Sequence, residues 1–162
     1  MQNFEFEHNG KRLWYSRSLS VCAVIYYMSN DGLVYILANK RGPECEFNKG
    51  LWNLPGGFID FNETAEQAVC RETLEETGVI IEPEQCRLIQ LYTEPVGERQ
   101  TMVAKYLIHF DENVEYDNNF DFRDIGRQTN GEVEDIRWIC IKDLDKYNWV
   151  RGQKEFIKGL MF

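Results

Sequence analysis

The stretch that decides the fold is GFIDFNETAEQAVCRETLEETGV, residues 57–79. Its second half predicts a helix over residues 64–77. Thr64 and Gln67 have the spacing of a capping box, and Gly78 supplies a residue that can close a helix in the left-handed conformation. At about 100° per residue, Ala65, Ala68 and Val69 share one face with Glu72 and Glu76, and Glu75 stands at the edge of that face. The seam is small and apolar at first and acidic afterwards, where an ordinary amphipathic helix would continue with Leu or Val. Like charges four residues apart repel on a helix, and burial makes this worse. Three carboxylates in one patch suit a hard divalent cation such as Mg²⁺, which takes oxygen ligands and binds phosphates jointly with the protein. Taken alone, RETLEE reads as a solvated charged helix; its surroundings decide otherwise.

Working outward, Pro55-Gly56-Gly57 breaks regular structure and opens an irregular loop. Upstream, Leu19–Met28 and residues 33–40 are β-rich runs around Asp31-Gly32, which predicts a hairpin. Downstream, residues 87–93 and 101–110 read as two strands with a turn at 95–99 between them. A long polar stretch, 113–131, reads as a loop or insertion. A further strand is expected at 136–141 and a terminal helix at 153–161. Strands around one long helix, with a second helix at the end, give a mixed α/β class.

The whole segment 57–79 resembles the Nudix box, G-x5-E-x7-R-E-U-x-E-E-x-G-U, where U is a bulky aliphatic residue. Gly57, Glu63, Arg71, Glu72, Glu75, Glu76 and Gly78 occupy all seven fixed positions, and Val79 the last aliphatic slot. Thr73 occupies the other aliphatic slot and departs from the pattern. Seven such identities coincide by chance about once in 10⁸–10⁹ windows. LWNLPGG, residues 51–57, also looks like the segment that leads into this box. The resemblance, which covers Leu19 to Ile141, implies an α/β/α sandwich with a mixed sheet, and the chain length suits a single domain over residues 1–162. It implies a pyrophosphohydrolase using Mg²⁺ or Mn²⁺, whose partner is a small nucleoside diphosphate derivative: ADP-ribose-like, a nucleotide sugar, a dinucleotide or a nucleoside triphosphate.

The resemblance also implies roles. The Gly57 carbonyl, Glu72 and Glu76 would bind metal. Glu75 would be a further ligand or would position or deprotonate the attacking water, with Glu132 as the alternative base. Glu63 and Arg71 would be structural partners, Arg71 orienting a carboxylate of the cluster. Arg41 and Arg99 are candidate phosphate clamps, and Phe58 a candidate base-stacking residue beside Trp52 and Tyr92. A non-catalytic nucleotide-sensing regulator on the same fold is the alternative. An isopentenyl diphosphate isomerase shares the fold, but its usual cysteine-bearing motif is not evident.

Composition agrees. A chain of 162 residues, 43% hydrophobic and 14% aromatic, can build a core. Its formal charge of −9 disfavours nucleic acid as a general partner. An anionic substrate would need a cation to mediate the contact. Five cysteines without a C-x-x-C pair favour neither a zinc site nor a disulfide framework. Cys22, Cys70 and Cys140 lie among apolar neighbours and are expected to be buried. No leader peptide or bilayer-length apolar run is visible, so a cytoplasmic protein without membrane contact is expected. Residues 1–18 and 111–131 carry no motif and are candidates for a substrate pocket or a homodimer interface.

Overall fold

Strand β3 (Leu19–Met28) organises the molecule because it is apolar on both faces. Val21, Ala23 and Ile25 enter one core cluster, while Cys22 and Val24 enter another. A strand can serve two cores only if both faces of its sheet are covered. The computed structural model describes residues 4–15, 19–93, 101–110 and 131–161. It shows both faces covered. Helix α1 (Ala65–Thr77) buries Ala68 and Val69 in the first cluster, and helix α2 (Gln153–Lys158) buries Ile157 in the second.

The sheet has six strands and is mixed. Besides β3 it contains β4 (Val34–Arg41), β5 (Trp52–Asn53), β6 (Arg87–Tyr92), β7 (Met102–His109) and β8 (Val133–Cys140). β3 runs parallel to β7 from Leu19↔Met102 to Tyr26↔His109. β6 lies antiparallel on the far side of β7. β4 pairs with β8 from Tyr35↔Cys140 to Arg41↔Val133. The expected hairpin joins β3 and β4, with the Ser29 N–H donating to the Leu33 carbonyl oxygen at 2.8 Å.

What positions the site is a split between β3 and β4. They pair only at Tyr26–Met28, after which the strands part and β5 takes the edge of β4 at Asn39 and Lys40. The other edge of the gap is filled by the Pro-Gly-Gly loop. The Ala23 N–H donates to the Pro55 carbonyl oxygen at 2.8 Å, and the Val21 N–H to that of Gly57 at 2.9 Å. Gly56, at φ 153°, passes so close to β3 that a Cβ there would collide with the Val21 carbonyl oxygen.

Several expectations change. Residues 4–15, for which no element is expected, form a hairpin of β1 (Phe4–His8) and β2 (Lys11–Tyr15). β8 begins at Val133, before the expected 136, because Val133 already packs in the α1-side core. α2 stops at Lys158, short of 161, with Gly159 as its C-cap. Cys22 is buried, but Cys70 and Cys140 are only half-buried. The turn at 95–99 lies outside the described residues, as does the stretch at 113–131 apart from Gly131. No helix among the described residues is long and apolar enough to cross a membrane.

Candidate catalytic and metal site

Local sequence sets α1 as expected. The Thr64 side chain accepts from the Gln67 N–H, the Gln67 side chain accepts from the Thr64 N–H, and Gly78 closes the helix at φ 72°. The buried line along the helix is Ala68, Val69, Thr73 and Thr77. Glu72 and Glu76 therefore lie on its flank, not at its centre, and face the loop that fills the split sheet. Thr73, the departure from the box, is fully buried. Its hydroxyl has no hydrogen-bond partner among the described residues.

Arg71 ties loop to helix. It grips Glu63 with two bonds, Nη2 to Oε1 at 2.7 Å and Nε to Oε2 at 3.1 Å. Nη2 also donates to the Phe58 carbonyl oxygen at 2.9 Å. Nη1 reaches Glu72 at 2.8 Å and Glu75 at 3.1 Å. The Asp60 N–H donates to Glu63 at 2.6 Å. The Arg71 guanidinium holds the Glu63 carboxyl below the usual carboxylate range.

Glu76 has a different environment. Its carboxylate accepts the Gly56 N–H at 2.9 Å. Burial pushes its pKa up to about 8, Glu72 and Glu132 add to the rise, and the Gly56 N–H and Arg41 oppose it. Burial also raises Glu72, with Arg71 opposing. The Glu72 carboxylate lies against Gly57, where a Cβ would collide with it. Glycine at 57 thus makes the room in which that carboxylate stands.

The fold brings Arg41 and Glu132 within electrostatic reach of Glu76. Arg41 ends β4 and is held by Nε donation to the Phe47 carbonyl oxygen at 3.0 Å. Glu132 precedes β8, and its carbonyl accepts the Gly42 N–H at 2.7 Å. Its neighbour Glu134 points elsewhere, to Lys40 at 2.6 Å. Phe58 exposes its ring (60%), as a stacking surface requires. Trp52 does not; it is buried edge-on against Tyr147. Arg99 lies outside the described residues.

The fit to a cation is favourable in donor type and incomplete in arrangement. Carboxylates and a carbonyl are the oxygen donors Mg²⁺ prefers, and a buried carboxyl as reluctant to ionise as Glu76 is one a cation would relieve. Among the described residues, however, no three His, Cys, Asp or Glu side chains converge as a ready-made cage. Arg71 Nη1 engages both Glu72 and Glu75. The Gly57 carbonyl already accepts the Val21 N–H, which leaves it one lone pair for another partner.

Sequence reasoning missed Lys105. Its ammonium stands 3.7 Å from the Phe156 ring centroid and 5.0 Å from that of Tyr92. Burial lowers its pKa. A single lysine in the strand MVAKYLIH was the available signal.

Comparison with known proteins extends this geometry. The chain is 36% identical over 84 residues to an ADP-ribose pyrophosphatase of Methanocaldococcus jannaschii, covering 52% of this chain and 44% of that one. It is 29% identical over 129 residues to the NAD-capped RNA hydrolase NudC of Chromobacterium violaceum, covering 76% and 43%. The chain thus spans less than half the length of these two relatives. The NUDIX domain of Shewanella oneidensis NrtR, solved with ADP ribose, has the same fold at a TM-score of 0.68 and 21% identity, covering 89% of this chain and 86% of that one. The family model described as NUDIX domain matches residues 17–160, a span that holds the split sheet, the glycine loop and the acidic helix together. The chain belongs to the NUDIX domain family.

Proposed function

We propose that the protein is a divalent-metal-dependent pyrophosphohydrolase that cleaves a nucleoside diphosphate joined to another group. The carrying observation is the buried Glu76 carboxylate, which accepts the Gly56 N–H, beside Glu72, whose carboxylate stands in the room left by Gly57. The names of the two relatives, an ADP-ribose pyrophosphatase and an NAD-capped RNA hydrolase, support a diphosphate linkage as the target. Residues 1–162 would act as one domain.

In this reading Glu72, Glu76 and the Gly57 carbonyl hold Mg²⁺ or Mn²⁺. When bound, the cation neutralises the diphosphate and acidifies water. Glu75, exposed at the mouth and held by Arg71, accepts the proton of the attacking water or joins the ligand set. Glu132 is the competing base. Arg71 positions Glu72 and Glu75, Arg41 and Arg99 clamp phosphate oxygens, and the Phe58 ring offers a face to the base.

A panel of ADP-ribose, nucleotide sugars, dinucleotides and nucleoside triphosphates, assayed with Mg²⁺, tests this directly. Turnover of at least one compound is expected, lost in EDTA and regained with Mg²⁺ or Mn²⁺. Full turnover in chelator would end the metal reading. Tight nucleotide binding without turnover would install the sensing regulator instead. Glu75→Gln should lower kcat more than Glu132→Gln; the reverse order reassigns the base.

A further inference from the structure

Cys70 lies in the middle of α1, and Cys86 caps the short 3-10 turn Pro83–Gln85 that follows. Their sulfurs are 3.9 Å apart. Both are half-buried free thiols packed against the α1-side core. Neither rests on a loose segment. Cys70 has a helical turn on either side. The turn carrying Cys86 is fixed by the Glu82 N–H donating to Gln85 Oε1 at 2.8 Å and the Cys86 N–H to the Pro83 carbonyl oxygen at 3.1 Å. The Cys86 thiol also lies 3.6 Å from the Glu82 carbonyl oxygen.

The geometry points to an oxidisable dithiol: with a peroxide as two-electron oxidant, Cys70 and Cys86 close to a disulfide that staples α1 to the turn behind it. A disulfide needs its sulfurs at about 2.05 Å, so a side-chain rotation with a small shift of the turn completes the approach. The two sulfurs face each other directly, so the same disulfide forms whichever of them attacks first.

The steps balance. One of the two sulfurs, as thiolate, attacks one peroxide oxygen, the O–O bond breaks, and hydroxide leaves, to be protonated to water. The resulting sulfenic acid is attacked by the other sulfur, the S–S bond forms, and the sulfenic oxygen leaves with that thiol's proton as a second water. Two thiols are oxidised and one hydrogen peroxide is reduced. The closed loop contains Arg71, Glu72, Glu75 and Glu76, so the staple restrains the segment that bears the acidic cluster.

The test requires no substrate and is independent of the catalytic reading. The full-length reduced protein is treated with one equivalent of hydrogen peroxide, then denatured, alkylated and mapped as peptides. The expected product is a cross-linked Cys70–Cys86 peptide lacking two hydrogen atoms, reversed by dithiothreitol, with titratable thiols falling from the five in the sequence to three. The oxidised protein should melt at a higher temperature than the reduced protein, and Cys86→Ser should show neither the cross-link nor the rise. Persistence of all five thiols would overturn the proposal. So would oxidation of Cys70 and Cys86 without a bond between them, or a disulfide involving Cys22, Cys45, Cys140 or a second chain.

Discussion

Glu63 and Glu76 belong to the same loop–helix unit, yet their surroundings are opposite. Glu63 is answered by the Arg71 guanidinium, which makes two bonds to it and holds it ionised. Glu76 is answered by one backbone N–H and by Arg41 at longer range, and burial resists its ionisation. Arg71 closes one side of the acidic cluster into structure. The Gly56–Gly57 side stays electrostatically unsettled. Acidic residues of one loop–helix unit can therefore divide into carboxylates that hold the fold and carboxylates free to meet a cation, and the partner each one meets makes the division.

The most severe way to break this contrast is Glu76→Gln, which keeps a hydrogen-bond acceptor for Gly56 and removes the charge. Turnover on any substrate the panel identifies should fall by about 10³-fold or more, the scale on which an essential group acts. Near-normal kcat in the variant would erase the distinction between Glu76 and Glu63.

The pH dependence of stability sharpens it next. A carboxyl with a pKa of about 8 when folded and the ordinary 4.5 when unfolded binds its proton more tightly in the folded state. Stability is then greatest below the unfolded value, declines as pH rises from 4.5 towards 8, and levels off above, by an amount on the order of a few kcal/mol. Thermal melts of metal-free protein should show a falling midpoint across this window. Glu76→Gln should flatten that component, and saturating Mg²⁺ should offset it at the alkaline end. A Glu76→Gln profile unchanged from the wild type would assign the slope to other groups.

Arg71→Met tests the opposite side. Several charge-assisted bonds disappear, but the Arg71 side chain is 28% exposed and solvent screens part of the loss. A destabilisation of about 2 kcal/mol is expected by chemical denaturation, together with lower activity through misplaced Glu72 and Glu75. A variant that loses activity without losing stability would show that Arg71 acts on the reaction more than on the fold.

The smallest effect concerns Thr73. Thr73→Val replaces a buried hydroxyl with no partner among the described residues by a methyl of similar size. It should stabilise the protein by about 1 kcal/mol or less, read from denaturation midpoints. A clear destabilisation would reveal a partner for that hydroxyl.

Much of this was legible before folding because it is local. Thr64, Gln67 and Gly78 bracket α1 through contacts within a few residues, and Asp31-Gly32 turns β3 into β4. The β1–β2 hairpin has a local signal too: Asn9 and Gly10 both take positive φ in the tight turn that Asn-Gly favours. The start of β8 was hidden because Glu134 and Asp135 interrupt its apolar pattern between Val133 and Ile136.

That one helix carries Glu72, Glu75 and Glu76 beside Arg71 follows from local spacing, which is a property of the chain alone. Which of them would find a partner was settled by long-range packing. The parting of β3 from β4 brings Gly56 to Glu76, and the ends of β4 and β8 bring Arg41 and Glu132 towards it from outside the box. The same is true of Cys70 and Cys86, whose sulfurs meet only after the chain turns back behind α1. Ionisation and thiol reactivity depend on burial and on partners distant in sequence, and those exist only once the chain has folded.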